Sequence, residues 1–138
     1  MSIEKKLRLT ASSDEELNIL SFLCQDAILS GEEYFFDNKL NLFAATFSRY
    51  CWEKEETKHN KNLNYRVVSG IQIKNVEKII DKNFKSNIPF LNLLAVSYNK
   101  RKITLNFSMS FEIILCCEKL DVVLEDIDIP WPTKLKPQ

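Results

Sequence analysis

The chain has 138 residues, and its nineteen basic and nineteen acidic side chains give a formal net charge of zero at pH 7. That balance disfavours a protein that holds nucleic acid or an anionic membrane through its overall field. The length is typical of one domain, which predicts a single domain over residues 1–138. No apolar run is long enough to span a bilayer and we see no secretory signal, so we expect a cytoplasmic protein.

The first elements predicted are a strand and a helix. Residues 3–10 fit a short strand, because apolar residues alternate there. A capping box at Ser13 and Glu16, followed by apolar residues at helical spacing, predicts an amphipathic helix. Gly31 offers a left-handed stop, so we expect this helix to continue through Ala27 and Ile28.

The pattern then changes to the two-residue period of strands. Residues 34–36 and 43–47 flank Asp37-Asn38-Lys39, which predicts a hairpin. The polar stretch 51–62 reads as a surface loop, and the strand pattern resumes over residues 65–73. Within that strand, Gly70 indicates either a bulge or a close approach of backbone.

Two later segments leave alternatives open. Residues 76–82 fit a helical turn as well as a strand. A strand is predicted over 91–98, but its buried face is either the set containing Leu91, Leu93 and Ala95 or the opposite set containing Leu94 and Val96. A basic turn at 99–102 ends this strand.

The clearest signal is an alternation of apolar and polar residues from Ile103 to Cys117. It predicts an antiparallel sheet with one buried face, and its length indicates a turn or bend at residues 108–110. We expect burial of one set and greater exposure of the other: Leu105, Phe107, Ile113 and Leu115, against Thr104, Asn106 and Glu112. The phase flips after Lys119, and residues 128–138 form an extended tail.

These elements predict an α+β fold, built from a mostly antiparallel curved sheet or partly closed barrel with one N-terminal amphipathic helix. About seven strands are expected.

Several sequence blocks resemble a small bacterial family catalogued as domain of unknown function 2948. The matching segments extend over nearly the whole chain: Phe22–Ile28, Asn41–Arg49 with Trp52-Glu53, Val67–Ile71, Phe90–Val96, Leu124–Asp126 with Trp131, and Lys136-Pro137. The most distinctive are Gln-Asp-Ala on the helix, Arg-x-x-Trp-Glu after the hairpin and the closing Leu-Glu-Asp. The glycines usual at the last hairpin are replaced here by Ser108-Met109-Ser110. The resemblance implies a single-domain cytoplasmic bacterial protein and supplies no activity or ligand.

The residue inventory favours a non-catalytic protein. His59 is the only histidine, and it lies in the charged loop. The two glycines cannot form a glycine-rich phosphate loop, and the four cysteines lack metal-ligand or disulfide-scaffold spacing, so we read them as reduced thiols. We therefore assign no catalytic residue, no cofactor and no metal site.

Two groups of residues are candidate sites. The first is a partner-binding group made of Arg49, Trp52, Glu53 and Trp131, because arginine and tryptophan are common interface anchors. The second is Gln25 and Asp26, which serve either as structural hydrogen-bonding groups or as a site at the edge of the helix.

Two functions follow as hypotheses. The first is a non-catalytic binding or adaptor module for a protein or peptide, with no role for nucleic acid or membrane. The alternative is a small-ligand-binding barrel whose pocket lies inside the curved sheet and supports modest enzymatic activity. A large interior pocket favours the second hypothesis, whereas a filled core with an exposed apolar patch favours the first.

Overall fold

One antiparallel sheet forms most of the fold. The computed structural model describes residues 6–30, 33–55, 63–82, 90–134 and 136–137, and Gly31 and His59 lie outside them. One α-helix, α1 (Asp14–Leu23), packs against the sheet. The strands are β1 (Arg8–Ala11), β2 (Ala27–Ser30), β3 (Tyr34–Asp37), β4 (Leu42–Tyr50), β5 (Asn64–Ile73), β6 (Lys78–Lys82), β7 (Phe90–Asn99), β8 (Lys102–Phe107), β9 (Glu112–Cys116), β10 (Val122–Asp126) and β11 (Trp131–Thr133). Short 3₁₀ turns occupy Trp52–Lys54 and Ser108–Ser110.

The strands of this sheet run in the order β1-β10-β5-β4-β2-β7-β8-β9-β6, with β3 added to β4 and β11 added to β5. Curvature brings two non-adjacent strands together, since the Tyr34 hydroxyl on β3 donates to Asp81 on β6 over 3.1 Å. Among the described residues the sheet does not close into a barrel. The predicted α+β class with one N-terminal helix is therefore confirmed, and the sheet is an open one.

The predicted number of about seven strands is wrong, because the described residues contain eleven. Three additional strands come from the helical-looking segment 27–30, the ambiguous segment 78–82 and the tail segment 131–133. A fourth arises because the long alternating run is divided at Ser108–Ser110 into β8 and β9. The predicted turn at residues 108–110 is confirmed, with Met109 in the left-handed region at φ 63°.

The helix begins where predicted and ends earlier. Ser13 is the N-cap, and its side chain accepts a hydrogen bond from the Glu16 amide. Continuation through Ala27 and Ile28 is wrong, because Asp26 has a φ of 63° and donates its backbone N–H to the Leu93 carbonyl. Strand β2 begins directly after that turn, and its buried residues are Ala27 and Leu29.

A β-bulge explains why the sequence of β7 supports two faces. The register to β8 shifts between Leu93 and Ala95, so the extra residue Leu94 points outward. Leu91 and Leu93 are buried before the bulge, and Val96 is buried after it. Each predicted face is therefore correct for one half of the strand.

The long alternation gives the buried face that the sequence predicts. Leu105, Phe107, Ile113 and Leu115 are buried, whereas Thr104, Asn106 and Glu112 are half-buried. After the phase flip, Val122 and Leu124 of β10 join the same core. Strand β5 pairs with β10 on one side and β4 on the other, and neither register shifts at Gly70. This glycine therefore marks a close approach rather than a bulge.

Candidate functional site

An arginine stands at an inward-facing position of β4. The inward row of this strand is Phe43, Ala45, Phe47 and then Arg49, because alternate side chains point to the same face. Arg49 is 0% exposed. A buried guanidinium is costly unless charged acceptors surround it, so its environment should supply them.

Two carboxylates and one carbonyl fill this requirement. Nε and Nη2 of Arg49 donate to Oδ1 and Oδ2 of Asp126 over 3.0 and 2.9 Å. Nη1 and Nη2 donate to Oε1 and Oε2 of Glu53 over 2.8 and 2.7 Å, and Nη1 also donates to the Tyr50 carbonyl over 3.3 Å. A guanidinium has five N–H groups, and these five bonds engage all of them.

Burial and ion pairing have opposite effects on the pKa values of Arg49 and Glu53. Burial lowers the pKa of Arg49, but hydrogen bonds to Glu53 and Asp126 outweigh it and raise that pKa above the ordinary value. Burial raises the pKa of Glu53, but Arg49 outweighs that effect and lowers it overall. Ser69 completes the network by donating its hydroxyl to Asp126 Oδ1 over 2.6 Å. Arg49 and Glu53 therefore each favour the charged form.

This network fixes the position of the 3₁₀ turn that carries Trp52. Glu53 belongs to that turn, so its two bonds to Arg49 tie the turn to the end of β4. The Trp52 indole N–H donates to the Gln25 carbonyl over 3.0 Å. Its ring meets Tyr50 edge-on at 4.7 Å between centroids and lies 6.0 Å from Phe22. Trp52 is thus held from several sides.

Trp52 forms one wall of a surface groove, which we call the α1 groove. Its volume is about 550 Å³, and it is lined by Ile19, Phe22, Leu23, Trp52, Glu53 and Glu55. Ile19 and Phe22 point away from the sheet and are 59% and 55% exposed. Large apolar side chains that are exposed together, rather than singly, are typical of interaction sites.

Two carboxylates line the α1 groove, and the first turn of α1 carries further acidic residues. Asp14 and Glu15 are exposed in the first turn of α1, and this helix contains no lysine or arginine. Glu53 and Glu55 lie on the opposite wall, where Glu55 also accepts a bond from Lys136 over 3.2 Å. Lys54 of the same turn is directed over the Tyr65 ring. Both charged residues in the described lining of the groove are therefore carboxylates.

The structure brings together three of the four residues predicted for partner binding. Arg49, Trp52 and Glu53 form the arrangement above, with Arg49 beneath the surface. Trp131 lies elsewhere, on β11 opposite Arg66 of β5, and is 38% exposed. The second predicted group acts through backbone, since Gln25 contributes its carbonyl and Asp26 its N–H.

Sequence reasoning missed Asp126, Ser69, Ile19 and Phe22 as parts of this site. The signal for Asp126 was present, because it shares the inward phase of Val122 and Leu124, as Arg49 shares that of Phe47. Opposite charges at core-phase positions of two strands indicate a buried ion pair. Ile19 has a helical spacing that is also typical of a buried stripe, so the sequence pattern does not indicate its exposure.

The cavity that the described core residues enclose inside the sheet is small. The cavity bounded by Leu29, Phe43, Ala45, Phe47, Ile71, Leu93, Leu105 and Phe107 measures about 10 Å³. That is near the smallest space that holds one water molecule.

Burial raises the pKa of Cys24 to about 12 and that of Cys51 to about 11, so these thiols are poor nucleophiles at neutral pH.

Comparison with known proteins assigns the family. The family described as a protein of unknown function (DUF2948) matches residues 7–138, and the chain belongs to it. Neither a curated protein nor a solved structure matches this chain. Among the described residues, no helix has the length and apolar character needed to cross a membrane.

Proposed function

We propose that this member of the DUF2948 family is a non-catalytic binding module, an adaptor that holds a protein or peptide partner in the α1 groove. The observation that carries the proposal is the exposed apolar pair Ile19 and Phe22 beside Trp52, which the Arg49 network holds in place. The small volume of the cavity among the described core residues supports a surface site over a ligand chamber at that place in the sheet.

The carboxylates at the α1 groove favour a partner segment with positive charge. Glu53 and Glu55 line the groove, and Asp14 and Glu15 lie in the first turn of the helix that forms its other wall, so the complementary segment carries a large apolar side chain flanked by lysine or arginine. The apolar side chain supplies most of the affinity by packing on Trp52 and Phe22. The flanking positive charges orient the segment and raise its association rate.

Arg49 takes part without touching the partner. Its guanidinium is buried, and it positions Glu53 and the turn that carries Trp52. Trp131 is kept as a separate contact with the partner, because it is partly exposed on β11. The proposal places the module in the bacterial cytoplasm, where its free cysteines stay reduced.

The test uses two synthetic peptides of equal length with two central leucines, one flanked by lysines and the other by glutamates. Binding is followed by amide and indole NMR shifts of the full chain. We expect the lysine peptide alone to bind and to shift the Trp52 indole N–H and the amides of α1. Equal binding of the two peptides, or shifts confined to other regions, contradicts the proposal.

Variants locate the site. Phe22→Ser removes an exposed apolar side chain, so it should preserve the fold and abolish binding of the lysine peptide. The matched control is Leu40→Ser, which removes a side chain that is 69% exposed outside the groove. Retained binding in Phe22→Ser, or equal loss in both variants, contradicts the assignment. Trp131→Ala tests the second contact: weaker binding with unchanged stability supports it, and unchanged binding removes it.

A further inference from the structure

A second groove lies on the outer face of the sheet, away from the α1 groove. We call it the outer groove; its volume is about 360 Å³, and it lies across β3, β4 and β5. Its two apolar walls are Phe35 of β3, 58% exposed, and Ile127, 49% exposed. This volume falls within the range of small-ligand sites.

Small side chains create the depression. Phe35 is paired with Ala44, and Thr46 is paired with Gly70 on the neighbouring strand. The outward positions of Ala44 and Gly70 carry a methyl group and a hydrogen, where strands normally present larger side chains. Ala44 thus leaves a low floor beside Phe35, which accepts a flat apolar group, and Gly70 leaves room for the Ile127 side chain.

The Ile127 wall is anchored at its backbone. Its N–H donates to the Val68 carbonyl over 2.8 Å, and its own carbonyl accepts from Lys6 Nζ over 2.9 Å. Its side chain leans over Gly70 so closely that a Cβ there would meet Ile127 Cδ1 at 3.2 Å. Glycine at position 70 therefore permits this side chain to lie across the sheet and bound the groove.

The polar end of the groove carries a carboxylate. The Glu33 carbonyl accepts from the Thr46 N–H over 3.0 Å, and its carboxylate Oε2 accepts from the Thr46 hydroxyl over 3.4 Å. These two bonds hold Glu33 at the outer groove. No lysine, arginine or histidine is among the described residues that line the groove, so the carboxylate sets its charge.

The geometry points to a binding site for a small organic cation that carries a flat apolar group. The flat group lies over Ala44, between Phe35 and the Ile127 side chain that covers Gly70, and the cationic nitrogen lies at Glu33. Apolar contact with the two walls supplies the affinity, while the carboxylate selects the sign of charge. The site is independent of the α1 groove, because the two grooves share no residue.

The test compares 2-phenylethylammonium with 3-phenylpropionate, which have the same aryl chain and opposite charge. Binding is measured by amide NMR titration, in which Gly70 is one of only two glycines in the chain. We expect the ammonium probe to shift Thr46, Gly70 and Gln72 saturably and the carboxylate probe to leave them unchanged. Equal binding of the two probes, absence of binding, or saturable shifts elsewhere overturns the proposal.

Two substitutions separate shape from charge. Ala44→Leu fills the floor and should eliminate the saturable shifts, whereas Thr104→Leu on β8, outside the groove, should leave them intact. Glu33→Gln keeps the shape and should weaken binding about fivefold, as expected for loss of an exposed ion pair. Unchanged affinity in either Ala44→Leu or Glu33→Gln overturns the placement of the probe.

Discussion

Arg49 and Asp126 form two parallel hydrogen bonds of 3.0 and 2.9 Å in the core, although 77 residues separate them in sequence. Each is the charged member of an otherwise apolar inward row, on β4 and on β10. Strand β5 lies between these two strands, so the pair reaches across it. The ion pair therefore fixes the relative position of two strands that are not paired neighbours in the sheet.

Arg49→Met should lower the free energy of unfolding by about 3 to 5 kcal/mol, because Asp126 is then left as a buried charge that keeps the hydrogen bond from Ser69 but loses its cation. Urea denaturation measures this change. Arg49→Met combined with Asp126→Leu should recover part of the loss, since it removes both buried charges.

The matched control is Arg8→Met. Arg8 and Glu125 approach to 3.9 Å with both side chains more than half exposed, so this change should cost under about 1 kcal/mol. Equal losses in Arg49→Met and Arg8→Met would show that burial of the Arg49 pair has no energetic effect.

Glu53 should make stability depend on pH in the acid range. Burial alone raises its pKa, but Arg49 outweighs that effect and holds it below the ordinary 4.5. A carboxylate whose folded pKa is depressed stabilises the protein above its unfolded pKa, and this contribution is lost as pH falls through the folded value.

Urea denaturation at a series of pH values tests this expectation against Glu53→Gln. The stability difference between wild type and variant should be largest near neutral pH and should shrink below pH 4.5. Glu118→Gln, at an exposed ion pair, is the control and should leave the acid dependence nearly unchanged. A difference for Glu53→Gln that stays constant with pH contradicts the prediction.

Ile113→Ala should cost about 2 to 5 kcal/mol, because Ile113 is 0% exposed and its truncation leaves a cavity. Ile114→Ala is the matched control, since the adjacent residue points to the opposite face and is half-buried. Its cost should be clearly smaller in chemical denaturation. The reverse order would place the wrong face of β9 in the core.

Met109→Gly should raise stability by about 1 kcal/mol, because Met109 has a φ of 63° and a ψ of 26°, where a Cβ is unfavourable and glycine is not. Thermal and urea denaturation measure the gain. Met109→Ala removes the same exposed side chain but keeps the Cβ, so it should give no comparable gain. Equal effects of the two changes would exclude backbone strain as the cause.

Local patterns in the sequence predicted the parts of the fold that depend on local rules. The alternation around Leu105 and Ile113 gave the buried face of β8 and β9, and Ser13 with Glu16 gave the start of α1. The end of α1 was missed because Ala27 also fits helical spacing. The left-handed turn at Asp26 that overrides this spacing forms a bond to Leu93, which is distant in sequence.

The candidate site was only partly predictable for the same reason. Trp52 and Glu53 are close to Arg49 in sequence, and their grouping was correct. Asp126 enters through strand pairing, which a single sequence does not specify. The outward orientation of Phe22 likewise depends on which face of α1 meets β7.

The position of β10 between β1 and β5 also determines when the protein can fold during synthesis. Before Val122–Asp126 leave the ribosome, β1 lacks its strand partner and Arg49 lacks the acceptors of Asp126. Pairing of segments so far apart in sequence is slow, because the chain must close a long loop first. A nascent chain that ends before β10 therefore exposes one edge of β5 and an incompletely neutralised cation, so the complete sheet can form only after β10 has emerged.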